Sequence, residues 1–318
     1  MNKRPLDQLF FATFRGNLDF SEFASLNVSQ AYSRIEFEGR AVFSPGKTLK
    51  HYLSFLSRVL FDRLPVEKDV VYSYRKGVNV VNAVEKHADN KFFFQSDIEN
   101  FFGNITKEII KKTILSAIDQ CPIADIEAWI ERILDLVTIE GALPPGYPTS
   151  PAISNACLLS FDKRLLAWCN EHSLIYTRYA DDIIVSGTDD TWMNSLSSKV
   201  TELLNEELNN SIKLNPQKTK IIRPGEKIRI LGIAILPNGK VSVDGKLKKR
   251  TETAMHLLLK DKKMFQSFFK EADLDKALKK FSGQLNYINT VDPSFLDKLR
   301  KKYGTATVDK IIHISVAS

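Results

Sequence analysis

Leucine recurs every three or four residues as Leu49, Leu53, Leu56, Leu60 and Leu64. That is the spacing of one helix face, so a single helix is predicted over 49–64, closed by Pro65. Similar periods predict a short helix over 80–88 and longer ones over 106–118, 123–137, 150–170 and 192–209. In the last third they predict helices over 246–270, 274–288 and 293–303, while the tail from Gly304 has no clear period. Ahead of the leucine run, Phe10, Phe11, Phe14, Phe20 and Phe23 predict one or two helices packed on the body. β-prone runs fill the gaps. Residues 35–43 read as a small hairpin with its turn near Gly39, closed by Pro45 and Gly46. Residues 92–98 read as a buried strand ending in Asp97, and 176–187 as strand, turn, strand. Residues 212–222 read as a turn followed by a strand, and 228–236 pair with 240–243 across Pro237, Asn238 and Gly239. Residues 141–151 hold the densest turn chemistry, and Ser150 is expected to cap the following helix with Pro151 at its first position.

Size and charge sharpen this α+β picture. At 318 residues and 36.1 kDa the chain can bury a large core in two or three packed subdomains. The expected division is 1–90, 91–245 and 246–318. Cys121, Cys157 and Cys169 have no metal-site spacing and form no even-numbered disulfide framework, which fits a reducing cytoplasm. Arg15 soon interrupts the short apolar run at Leu9, Phe10 and Phe11, so neither a signal peptide nor a membrane span is expected. The net charge is +7, and residues 246–303 carry 15 Lys/Arg against 7 Asp/Glu. That stretch therefore holds the whole positive excess. A basic C-terminal module on a near-neutral body points to a phosphate backbone as partner; the alternative is a solvated, lysine-rich helical face.

The candidate chemistry is acidic. Asp181 and Asp182 sit between Tyr179-Ala180 and Ile183-Ile184-Val185, surroundings that belong to a core. Burying charge there is costly unless a cation offsets it. Mg²⁺ suits the position, because it takes one or two carboxylates plus substrate phosphates. A solvated turn is the other reading. Asp97 ends its own strand, and neighbouring strands lie about 4.8 Å apart, so Asp97 and Asp181 can share metal if their strands are adjacent. Arg40, on the hairpin with Arg34 and Lys47 nearby, can hold a triphosphate or serve as a solvated edge-strand charge. Residues 141–151 offer a helix N-terminus to a nucleotide or template, or are simply a rigid loop. Lys218 or Lys220 can point toward the acids, and His87 reads as structural.

In chain order these pieces resemble a reverse transcriptase over roughly residues 30–303. The run from Asp97 to Phe102 resembles the first catalytic-aspartate motif, and Tyr179-Ala180-Asp181-Asp182 the YxDD box. Leu143 through Asn155 resembles the template- and nucleotide-positioning loop and helix. Lys218-Thr219-Lys220 resembles the lysine motif that follows, Leu231-Gly232 stands where the primer-grip hairpin lies, and the basic C-terminus resembles the thumb. The group most like it comprises the bacterial enzymes of retrons, group II introns and defence systems. The resemblance implies a right-hand polymerase fold with fingers, an antiparallel-sheet palm and a helical thumb. It makes Asp97, Asp181 and Asp182 the catalytic and metal-binding carboxylates, with Mg²⁺ as cofactor in a pair about 3.5–4 Å apart. If Asp181 and Asp182 ran on as an extended strand their side chains would face opposite ways, which favours Asp181 as direct ligand. Phe102 falls at the sugar gate that favours dNTPs. Gly146 and Pro148 fall in the nucleotide-binding loop, and Lys218 or Lys220 protonates or neutralises the leaving pyrophosphate.

Three departures accompany the match. Pro145 stands where related enzymes carry glutamine, Asn82-Ala83 and His87 are one residue too widely spaced for the retron element, and Ile230-Leu231-Gly232 replaces Val-Thr-Gly. The last two weaken a retron assignment. The absence of sequence beyond the thumb argues against a group II intron protein with maturase or endonuclease modules. The expected function is RNA-directed DNA synthesis from dNTPs on an associated structured non-coding RNA. It yields an RNA–DNA hybrid, in a retron or other antiphage defence system, with a possible effector protein and no membrane. The competing readings are template-independent or protein-primed synthesis by the same fold, and a non-catalytic RNA-binding scaffold.

Overall fold

A computed structural model describes residues 2–37, 39–208 and 212–315. In chain order the elements are α1 (Leu6–Phe14), α2 (Phe20–Ser25), β1 (Tyr32–Phe37), β2 (Arg40–Pro45), α3 (Lys47–Val59), α4 (Val80–Glu85), β3 (Phe92–Asp97), α5 (Lys107–Ser116) and α6 (Ile126–Val137). They continue as α7 (Ser150–Cys157), α8 (Leu159–Glu171), β4 (Ile175–Tyr179), β5 (Asp182–Gly187), α9 (Leu196–Glu207), β6 (Lys220–Ile222), β7 (Arg229–Ile230), β8 (Ile233–Ile235) and β9 (Val241–Val243). The last helices are α10 (Gly245–Lys260), α11 (Lys262–Phe268), α12 (Leu274–Val291), α13 (Pro293–Tyr303) and α14 (Thr305–Ile312). The chain divides into two units, 1–79 with 92–221, and 80–91 with 222–318.

The first unit is built on a sheet of order β4-β5-β3-β6. β5 is its hydrophobic centre: Ile183, Ile184 and Val185 are buried, as expected of a strand paired on both edges. β3 runs antiparallel to it from Phe92↔Gly187 to Asp97↔Asp182. Apolar faces of α5 to α9 supply the same core through Ile110, Ile133, Ile153, Phe161 and Leu203. The N-terminal phenylalanines pack as expected, with the Phe10 ring 4.6 Å from Phe14 and 5.5 Å from both Phe23 and Phe55. β1 and β2 form the hairpin, with Phe37↔Arg40 as its last pair. Glu38, in its turn, lies outside the described residues.

Several boundaries differ from the sequence reading, each for a local reason. The leucine helix ends at Val59, because Leu60 leaves the helical basin (φ −126°, ψ −66°) and a single 3₁₀ turn follows. α6 starts three residues late because 122–124 pair with Arg4 instead: Arg4 N–H donates to Pro122 O at 2.9 Å, and Ala124 N–H to Arg4 O at 2.8 Å. Ser150 does not cap α7. Its hydroxyl donates to Pro144 O at 2.6 Å and cinches the preceding loop, while Thr149 occupies the cap position without a side-chain bond. The expected helix over 150–170 is divided at Leu158. α9 begins at Leu196 rather than 192, and Asn209, its expected end, is outside the described residues.

The second unit joins the sheet β7-β8-β9 to α4 and α10 to α14. The expected strand over 228–236 is folded back on itself. Leu231 (φ 50°) and Gly232 (φ 81°) form a two-residue turn, and positive φ at both positions matches the twist of a tight hairpin. Asp261 breaks the expected helix over 246–270, accepting from the backbone of Lys263 and Met264 to cap α11. The tail read as aperiodic contains α14, whose Val308, Ile311 and Ile312 are buried; residues 316–318 lie outside the described residues. Asp244 caps α10 and accepts from Lys227 Nζ at 2.6 Å.

Candidate active site

The turn between β4 and β5 is two residues long, Ala180 and Asp181, closed by the pair Tyr179↔Asp182. Ala180 is in the left-handed region (φ 57°), which costs a residue with a Cβ about 1–2 kcal/mol. Neighbours hold it there. Ala180 N–H donates to Ser73 Oγ at 2.7 Å, and Arg178 Nη1 donates to Ala180 O at 2.9 Å. Arg178 is completely buried and pairs with Asp162 through Nε (2.8 Å) and Nη2 (2.6 Å). Sequence reading missed this guanidinium. The available signal was a charged residue in the middle of an apolar strand, which requires a buried counter-charge.

The turn brings three carboxylates together. Asp97 ends β3 with 6% of its surface exposed and lies opposite Asp182 in the sheet register. Ile98 N–H donates to Asp181 O at 3.1 Å, which ties the strand end to the turn. Asp181 stands in the turn itself, so it and Asp182 are not successive residues of one extended strand, and the expected opposition of their side chains does not arise. Both face the charge of Asp97. Burial pushes Asp181 up to about 6, helped by the charges of Asp97 and Asp182. Burial and the Asp97 charge push Asp182 up to about 6 as well, against the pull of Lys218 and Lys220.

Both lysines therefore reach the cluster. Lys218 Nζ is 2.9 Å from Asp97 Oδ2. Its approach is fixed by a turn locked onto β3: Asn215 N–H donates to Asp97 O at 2.7 Å, and the hydroxyls of Thr219 and Ser96 are 2.7 Å apart. The local chemistry fits a divalent cation, since mutually repelling carboxylates already hold one ammonium. Among the described residues no group of three acids, histidines or cysteines forms a ready-made cage.

Tyr74 is a second residue that the sequence reading passed over. It follows Ser73, has φ 56° and is 52% exposed. Its phenol is pushed up by burial and by the charges of Asp181 and Tyr179, so it stands beside the acids. A tyrosine in the left-handed region is an outlier of the kind that gathers at working sites.

The other expected residues lie as follows. Phe102 opens a one-turn 3₁₀ helix after β3, partly buried, with its ring 5.3 Å from Phe101. Arg40 is exposed at the start of β2. Gly146 is pressed against that strand: Phe43 N–H donates to Pro145 O at 2.8 Å, and a Cβ on Gly146 would meet Phe43 O at 2.5 Å. Pro148 is exposed in the same loop, so the Arg40 hairpin and the Gly146 loop are joined. Leu231 and Gly232 belong to the second unit, where they form the β7–β8 turn. His87 is fully buried there, in line with a structural role.

Comparison with known proteins identifies the family. The family model described as Reverse transcriptase (RNA-dependent DNA polymerase) matches residues 46–235, more than half of the chain. The Retron Ec83 reverse transcriptase of Escherichia coli is 26% identical over 249 residues, covering 76% of each chain. The Retron Ec73 reverse transcriptase of the same organism is 27% identical over 278 residues, covering 83% of each. A telomerase of Candida albicans, solved with a fragment of telomeric RNA, aligns at TM-score 0.46 and 10% identity over 90% of this chain and 60% of that one. The departures at 82–87 and 230–232 thus do not remove the chain from the retron group. The family works on nucleic acid with divalent metal ions. No helix among the described residues is long and apolar enough to cross a membrane. By its sequence and its polymerase fold, the chain belongs to the reverse transcriptase family, as an RNA-directed DNA polymerase of the bacterial retron type.

Proposed function

We propose that Asp97, Asp181 and Asp182 are the catalytic and metal-binding carboxylates of this polymerase and that the metal is Mg²⁺. The observation that carries this reading is the meeting of a strand end, at Asp97, with a tight turn whose Asp181 and Asp182 are both pushed up, the cluster being faced by two lysines. When bound, the ions supply Lewis-acid activation of the primer hydroxyl and neutralise the triphosphate. The chain's own groups do the rest. Lys218, paired with Asp97 here, exchanges that carboxylate for a substrate phosphate, and Lys218 or Lys220 donates a proton to the departing pyrophosphate or offsets its charge. Arg40 draws in the dNTP phosphates from the hairpin that Gly146 and Pro145 hold, with Pro148 beside them. The Phe102 ring faces the sugar and disfavours a 2′-hydroxyl. Leu231 and Gly232, as the β7–β8 turn, grip the primer.

In this reading, residues 1–90 contain the fingers, 91–245 the palm and 246–318 the thumb. The template is a structured non-coding RNA bound by the enzyme in the cytoplasm, and the hybrid product serves a retron or related antiphage defence, with an effector protein as further partner. The Ec83 and Ec73 relatives, both named retron enzymes, support that assignment. Incorporation of dNTPs on a primed RNA should stop when Mg²⁺ is chelated. Losing a metal carboxylate removes several kcal/mol of transition-state stabilisation, so Asp181→Ala should lower the rate by at least about a thousandfold. Undiminished synthesis by that variant ends the metal assignment. Sequencing the nucleic acid that co-purifies tests the template: a DNA complementary to a bound RNA is expected, and a homopolymer would contradict it.

A further inference from the structure

The Asp181 turn rests on a buried polar network that none of the roles above uses. Ser73, Asp162 and Arg178 have no exposed surface, and Asn155 is 2% exposed. The Asp162 carboxylate accepts from Arg178 twice and from Tyr176 OH at 2.7 Å. Arg178 Nη1 donates to Asn155 Oδ1 at 3.1 Å as well as to Ala180 O. Asn155 Nδ2 donates to Ser73 O at 2.9 Å, and Ser73 Oγ receives Ala180 N–H. Four segments meet here: the loop at Ser73, α7 at Asn155, α8 at Asp162 and β4 at Arg178.

Stability alone is a poor reason for such a cluster, since buried ion pairs exchanged for well-packed apolar groups often leave a protein as stable or more so. Its electrostatic reach is also limited. Asp162 neutralises Arg178, and the charges that move Asp181 are those of Asp97 and Asp182. What the network does is geometric: it grips both the N–H and the C=O of one left-handed alanine, the residue before Asp181. Released from either hold, that strained peptide can relax toward ordinary φ, and the Asp181 side chain turns with it.

We infer that Ser73, Asn155, Asp162 and Arg178 are positioning residues that aim the Asp181 carboxylate, and so set the affinity of the site for its divalent ion. This rests on the reading of Asp181 as a metal ligand. The test is a Mn²⁺ titration of the full chain by electron paramagnetic resonance, without substrate, alongside thermal unfolding and binding of a primed RNA template in chelator.

Ser73→Ala removes the acceptor for Ala180 N–H and the long bond that the Ser73 hydroxyl donates to Asn155 Oδ1 (3.4 Å). It should weaken Mn²⁺ binding about five- to tenfold, the equivalent of one buried hydrogen bond. Template binding in chelator should change by less than about twofold, because surface charge is untouched. Asn155→Ala should weaken Mn²⁺ to a similar degree. The double variant should lose less than the product of the two, since both act through one turn. Wild-type Mn²⁺ affinity in both single variants, with only the melting temperature lowered, overturns the inference and leaves a structural role. Asp181→Ala separates the two levels. Unchanged Mn²⁺ binding in that variant defeats the metal reading itself. Lost binding there with normal binding in Ser73→Ala defeats only the positioning role.

Discussion

A single histidine shows how far burial can move a side chain. His87 has no exposed surface, and burial pushes its imidazole down to about 3. Its unfolded value is near 6.5, so below that pH the unfolded chain binds a proton that the folded chain refuses. The stabilisation is complete above about 6.5 and is lost as pH falls toward 3, at roughly 1.4 kcal/mol per pH unit. Denaturant unfolding between pH 7.5 and 5 should show a steeper loss for the wild type than for His87→Gln, by nearly one proton. Parallel curves would refute it. The same scale separates what could be read from what could not. Asp97, Asp181 and Asp182 were legible because acids set among apolar strand residues demand an explanation. Ser73 and Asn155 were not, because serine and asparagine are unremarkable locally and their partners lie up to 107 residues away. Tyr74 escaped notice because a positive φ leaves no mark in a tyrosine.

Elements were legible in kind but not in extent. Periodicity found the long helices, yet breaks at Leu60, Leu158 and Asp261 went unseen, because an apolar face survives a one-residue interruption of the backbone. The eight residues of α14 are too few for a period to stand out. The β1–β2 hairpin was read correctly, but nothing in its sequence showed that it docks on the loop at Gly146. That contact gives a prediction. Gly146 (φ 103°) has Phe43 O 2.5 Å from where a Cβ would stand, whereas Gly141 (φ 78°) has nothing within 4 Å. Both alanine variants bear the backbone penalty, and only Gly146→Ala adds a collision. It should destabilise by about 1–3 kcal/mol more than Gly141→Ala in denaturant unfolding. Equal losses would mean that the hairpin does not depend on the close approach.

At the scale of the whole chain, charge is the property that composition already revealed. The positive excess lies in 246–303, within the second unit; if it binds the phosphates of the proposed RNA–DNA hybrid, affinity should fall steeply with salt. Lys276→Gln with Lys279→Gln, both exposed on α12, should lower the slope of log affinity against log salt by up to about 0.9 per lysine. Lys163→Gln with Lys199→Gln in the first unit should leave it unchanged. Equal effects from the two pairs would show that the basic stretch is a solvated face. By itself the sequence determined the element types, the strand and turn that carry the acids, the basic module and the family, because each is written in local spacing or in an ordered set of motifs. Only the tertiary structure decided that Asp97 pairs in register with Asp182, that Lys218 reaches Asp97, and that a buried arginine holds the turn before Asp181. Those outcomes depend on which strands become neighbours and which polar groups must find partners once water is excluded, and neither is encoded in the residues next to them.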